Sequence, residues 1–299
     1  MIVLDEEQWS SLAAAHVERV TPWVAPRQER KARGERHPVD DFLFDYYPYR
    51  PARLLQWHPG WGVGLSGSLS SLSPWLARED YACEPTPSSH QGGAESVVAH
   101  VAESAWQRRR EEMASTLTLL QRTRERPMRL GCFGMHEWAM VYRIAPEEVR
   151  HSDWPLRLTP QEIADVVDEV GLRCTHIDAY RFYTPAALPL NEQVLTRERQ
   201  VETEQPGCLH ASMDLYKWSV RLVPLVPSAL VADCFDLARQ ARELDMRAAP
   251  YDLRELGYDP IPMETPEGRV RYAEAQRATA GRAAVLRGRL IDALVAMSG

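Results

Sequence analysis

Helix-start signals do most to limit what this chain can fold into. In Thr159-Pro160-Gln161-Glu162, a threonine stands at the N-cap, a proline at N1 and a glutamate at N3, which predicts a helix over Pro160 to Val170. Ser228 opens a run with helical spacing to about Met246, and Thr265-Pro266-Glu267 opens a last one to about Met297. Val97, Val101, Trp106, Met113, Leu117 and Leu120 share one face of a predicted helix from Ala94 to about Arg126, which stops before Pro127. The stretch after Pro206 can also be helical, from about Leu209. Segments with strand periodicity are few.

Nearer the N-terminus, Trp9, Leu12, Ala13, His16, Val17 and Val20 predict a helix over residues 5–33, broken near its middle by Pro22 and Pro26. Val39 to Tyr47 reads as helical and Gly60 to Gly67 as a turn leading into a short strand. Residues 66–93, rich in Ser, Pro and Gly, read as a long surface loop. The stretch from Met128 to Ile144 is expected to begin as a strand and continue as a helix through Val141, and Leu172 to Tyr183 to form a strand. The expected class is mainly α with a small β-sheet (α+β). The expected organisation is a single compact domain with an N-terminal helical elaboration: an aromatic, helical segment over 1–67, a loop over 68–93, and the main portion over 94–299.

Composition narrows the partners and the compartment. A net charge of −7 gives no global attraction to nucleic acid or to an anionic membrane. No apolar run reaches the roughly 18 residues of a membrane span, and acid residues stand where a signal peptide needs a basic n-region. A cytoplasmic protein with no membrane partner is expected. Five cysteines without a secretion signal point to reduced thiols. Of the 35 basic residues all but Lys31 and Lys217 are arginine. A lysine kept against that bias can do what arginine cannot, such as deprotonate or form an imine.

Chemistry-bearing residues recur in three short segments, Cys132–Glu137, Cys174–Asp178 and Cys208–Asp214, each with a cysteine, a histidine and a carboxylate. On a helix from Leu209, His210, Asp214, Lys217 and Arg221 fall at i, i+4, i+7 and i+11 and line one face. On a strand, Cys174, His176, Asp178 and Tyr180 point one way. His136 and Glu137, adjacent on a helix, diverge by about 100°. There is no HExxH, CxxC, GxGxxG, Walker loop or GxSxG. A metal held by residues gathered from separate segments, with His136, His176, His210 and Glu137 as donors, is allowed by the donor chemistry although no spacing encodes it.

Several blocks, HPVDDFLFDYYPYRPARLLQWHPG, GMHEWAMVYR, RCTHIDAYRFYTP, EQPGCLHASMDLYKW and ELDMRAAPYDLRELGY with METPEG, resemble a family of actinobacterial proteins labelled 3-methyladenine DNA glycosylase. The resemblance implies a base-excision N-glycosylase that needs no cofactor, takes duplex DNA with a damaged base as partner, and flips an alkylated purine into an aromatic pocket. Under it, Asp214 or Asp178 assists loss of the glycosidic bond, His210 supports proton transfer, and Lys217 is placed for an imine at the abasic sugar. Trp138, Tyr180, Tyr216 and Trp218 are then the stacking residues. The alternative from the residues themselves is a metal-dependent enzyme, with iron or zinc, acting on a small molecule at a pocket where the three segments meet. A noncatalytic binding protein is the third reading.

Overall fold

The computed structural model describes residues 1–47, 49–85, 96–144 and 154–297. It is 57% helical with one small mixed sheet of four strands, the mainly α, α+β class expected. The chain divides into two units, each assembled from segments distant in sequence: Met1–Leu117 with Tyr216–Cys234 and Arg289–Gly299, and Thr118–Leu215 with Phe235–Gly288. The N-terminal third is thus joined in its unit by later segments.

The first unit holds the sheet, in the order β1-β2-β4-β3, from β1 (Ile2–Leu4), β2 (Val63–Gly67), β3 (Tyr81–Pro85) and β4 (Val97–Val101). β1 runs parallel to β2, while β2–β4 and β4–β3 are antiparallel. Gly64 in β2 lies so close to β4 that a Cβ there would stand 2.5 Å from Val98 Cγ1, so the sheet needs glycine at that position. Helix α1 (Glu6–Ala32) starts at a capping box between Asp5 and Gln8 and runs through both Pro22 and Pro26. The predicted break is therefore absent. Each proline costs a helix about 3 kcal/mol, but Trp9, Val20 and Val24 are buried along one face, and burial at about 1.5–3 kcal/mol per large apolar side chain offsets that cost. Short helices α2 (Phe42–Tyr46), α3 (Pro51–Leu54) and α4 (Ser73–Leu76) fill the connections. The last of these, with β3, lies where a loop was expected, and β4 stands where the first turns of the Ala94–Arg126 helix were expected, that helix starting only at Glu103; residues 86–93 of the loop expectation are outside the described residues.

The second unit carries the three Cys/His/acid segments. Its elements include the C-terminal part of α5 (Glu103–Glu125), all of α6 (Met135–Ala139), α7 (Pro160–Val170), α8 (Ile177–Tyr180) and α9 (Gln200–Thr203), and most of α10 (Leu209–Arg221), α11 (Ser228–Ala248) and α12 (Pro266–Ala296). α7 begins as expected: Thr159 Oγ1 accepts from the Glu162 amide, the Glu162 carboxylate accepts from the Thr159 amide, and Ile163, Val167 and Val170 are buried. Two expected strands are absent. Residues 128–134 are irregular and lead into the short α6, and Leu172 makes a single bridge to Asn191 before the chain turns into α8. The expected strand face shared by Cys174, His176, Asp178 and Tyr180 therefore does not form. Asn191 takes the partner's role by accepting from the Cys174 amide at 2.7 Å and donating to its carbonyl at 3.1 Å.

Candidate metal centre

Tight backbone control brings the three segments together. Phe133 (φ 48°) and Gly134 (φ 65°) are both left-handed just before α6. For phenylalanine this backbone costs of order 1 kcal/mol and persists only where packing over-determines it. The turn aims His136 inward from the first turn of α6. Gln205 clamps the neighbouring chain: its side chain accepts from the Arg129 and Gly207 amides and donates to the Arg129 carbonyl. Gly207 fits because a Cβ there would stand 2.5 Å from the Arg129 carbonyl oxygen. Gln276 from α12 donates to the Gly207 carbonyl at 2.7 Å and approaches Cys132 Sγ at 3.2 Å. Cys208 and His210 are thereby fixed at the start of α10.

The three histidines converge. The His136 and His210 rings meet edge-on with centroids 4.5 Å apart, and His176 lies 5.4 Å from His210. Two donor sets result, each with ligand atoms within 4.8 Å of one another: His136, His210 and Asp245, and His176, Glu204 and Asp214. His136 Nε2 is 2.9 Å from Asp245 Oδ1, and His176 Nε2 is 3.4 Å from both Glu204 Oε2 and Asp214 Oδ2. None of these contacts has the direction of a ring N–H bond. His136 Nε2, Asp245 Oδ1 and both ring nitrogens of His176 are buried without a hydrogen-bond partner.

Buried carboxylates set the protonation of the histidines. Glu137, Glu204, Asp214 and Asp245 are 3%, 1%, 1% and 0% exposed. Arg242, itself buried, donates to Glu137 at 2.7 Å and to Asp245 Oδ2 at 3.1 Å. Burial opposes a charged His136, yet the charges of Asp245 and Glu137 outweigh it and raise its pKa. Burial likewise opposes charge on His176, and contact with Asp214 and the charge of Glu204 reverse the balance. His210 goes the other way: burial and then the neighbouring His136 hold it well below the ordinary histidine range, as a neutral imidazole. Asp245 is held ionised despite burial chiefly by His136, with Arg242 adding to it.

A small void, with room for about one water-sized group, lies against Cys132, His136, Cys174, Cys208, His210 and Tyr272. Burial raises all three thiols, Cys174 to about 12, so they are neutral and weak as ligands in this state. A second, outer hollow shares Cys132, Cys174 and Thr175 with the void and is lined by Arg129, Arg173 and Glu192.

Of the residues expected at a site, His136, His176, His210 and Asp214 come together. Glu137 binds Arg242 and stands one step back from the donors. Asp178 turns to Arg197 and Arg181. Trp138 is a core residue whose indole donates to the Ala248 carbonyl at 2.8 Å, and Tyr180 packs on Tyr183. Tyr216, Lys217 and Trp218 belong to the other unit, where Tyr216 packs against Tyr47 and Tyr49 and the Lys217 ammonium sits 4.4 Å from the Trp218 ring centroid. Sequence reasoning missed Glu204, Asp245 and Arg242. A signal for two of them was present: Arg242 and Asp245, one turn apart, interrupt an α11 face otherwise made of Phe235, Ala238, Ala241 and Ala248.

Fold and site together define a mainly α protein with a buried histidine–carboxylate cluster. Comparison with protein-family models, with curated proteins and with solved structures gives no match for this chain.

Proposed function

We propose that the cluster binds a divalent transition metal, iron or zinc, and that the protein is a metal-dependent enzyme acting on a small molecule. The observation that carries this reading is the convergence of His136, His176 and His210 with Asp245, Glu204 and Asp214, with several donor atoms buried and left without hydrogen bonds. Apolar interiors do not tolerate such atoms cheaply: an unsatisfied buried polar group costs about 1–3 kcal/mol, and a cation would satisfy several at once.

A bound ion supplies Lewis acidity and a water acidified toward neutrality. The chain's own residues provide the rest. Arg242 holds Asp245 through Oδ2 and leaves Oδ1 toward His136. Gln200 donates to Glu204 Oε2 at 2.8 Å and orients that carboxylate. Such outer partners fix ligand geometry in metal sites. The outer hollow beside Cys132 and Cys174 would give a compact molecule access while the burial excludes bulk water.

The base-excision reading asks for a pocket that receives a flipped purine beside a carboxylate. The void beside the cluster is far smaller than a base, and Trp138 and Tyr216 are engaged in core packing, so the geometry serves that reading less well. Elemental analysis of the purified protein and of a His176→Ala/His210→Ala variant tests the choice. Stoichiometric metal that vanishes in the variant supports the metalloenzyme. A metal-free protein that excises an alkylated purine from duplex DNA overturns it.

A further inference from the structure

We propose that the cluster is a two-ion centre, with one divalent cation held by His136, His210 and Asp245 and a second by His176, Glu204 and Asp214. This deepens the metalloenzyme reading and rests on it. The six donors fall into two sets of three with no residue shared, each compact enough for a single ion. An ion with ligand bonds of about 2.0–2.2 Å spans about 4.0–4.4 Å between opposite donors, so closing a 4.8 Å set needs only small side-chain movement. The sets abut, because His210 of the first has its ring 5.4 Å from that of His176 in the second.

Each set also carries its own buried donor atoms that make no hydrogen bond. In the first these are His136 Nε2 and Asp245 Oδ1; in the second, the His176 ring nitrogens. Each set has separate outer support. Arg242 donates to the oxygen of Asp245 that faces away from His136. Glu204 accepts from Gln200 at 2.8 Å and from Thr123 at 3.5 Å. These supports come from different helices, α11 for one set and α9 and α5 for the other, while α10 contributes His210 to the first set and Asp214 to the second.

Donor chemistry separates the ions. Two imidazoles and one carboxylate suit zinc or iron(II), with open positions for water or substrate; one imidazole and two carboxylates suit a harder ion such as manganese(II) or iron(II). Adjacent ions of this kind can clamp attacking and leaving oxygens in one displacement, which favours hydrolytic chemistry on a small ester or phosphoester.

The test is metal stoichiometry and ion-pair spectroscopy on the whole chain. Chelator-treated protein is reloaded with manganese(II) or zinc, desalted and analysed, for the wild type and for Asp245→Asn and Glu204→Gln, with circular dichroism to confirm folding. Two ions per chain in the wild type and one in each variant are expected. The manganese-loaded wild type should also give the electron paramagnetic resonance spectrum of a coupled pair, a readout that needs no variant to fold. One ion per chain with an isolated-ion spectrum overturns the two-ion centre and leaves the metalloenzyme reading standing. No bound ion overturns both.

Discussion

Removing the guanidinium of Arg242 is the sharpest perturbation of the cluster that leaves every donor in place. Arg242 is 1% exposed and bridges Glu137 and Asp245. Arg242→Leu therefore strands buried Glu137 without a cation and leaves Asp245 only His136, and breaking a buried pair from one side typically costs about 3–5 kcal/mol. Proton uptake limits the loss, since protonating an ordinary glutamate at pH 7 costs about 3.7 kcal/mol. The expected destabilisation of the metal-free protein is then about 3–4 kcal/mol, a fall in Tm of about 5–6 °C for a chain of this length. The assay is urea denaturation of chelator-treated protein at pH 7 and again at pH 5, where protonation is cheaper and the deficit should shrink. The Glu137→Leu/Arg242→Leu variant should recover at least half of the loss, because an apolar pair of similar bulk avoids the stranded charge. A loss under about 1 kcal/mol, or a double variant no better than the single, would refute the view that Arg242 balances this cluster.

Other predictions lie outside the donor set. His58, buried between Tyr81 (2.9 Å) and Arg78 (3.1 Å), is held neutral with its pKa lowered to about 3 by burial and then by Arg78. The unfolded chain takes up this proton near pH 6.5 and the folded chain does not, so stability is full above that pH and falls below it by about 1.4 kcal/mol per pH unit. His58→Gln should flatten that slope between pH 6 and 4 in denaturation curves. Gly207→Ala drives a Cβ into the Arg129 carbonyl and should cost about 1–3 kcal/mol, together with metal content, because Cys208 and His210 follow directly. Thr159→Ala removes the α7 capping box and should cost about 1 kcal/mol with metal content unchanged. Lys217→Arg should leave metal content and stability near wild type, since Lys217 is not one of the donors and its ammonium sits over the Trp218 ring; a lost ion in that variant would contradict the assignment.

Much of the fold could be read from the chain because caps and periodicity are local. Thr159, Ser228 and Pro266 each mark a helix start that the structure has, and Val63–Gly67 is the strand expected after the Gly60 turn. Packing decided the remainder. The face formed by Val20 and Val24 carries α1 through two prolines, and Asn191 supplies to Cys174 the hydrogen bonds that a neighbouring strand would have given. The site was half legible. Clustering of Cys, His and acid picked out His136, His176, His210 and Asp214, whereas Asp245 lies more than a hundred residues from His136 and only the tertiary fold brings the two together. Asp178 looked equivalent to Asp214 in sequence, but the turn into α8 delivers it to Arg197 instead.

X-ray absorption at the metal edge of the purified protein reports which atoms surround the ion. A histidine–carboxylate centre predicts a nitrogen and oxygen shell at about 2.0–2.2 Å with imidazole outer-shell scattering. A sulfur shell at about 2.3 Å would shift the ion to Cys132, Cys174 and Cys208, and the absence of any metal edge would contradict the account altogether.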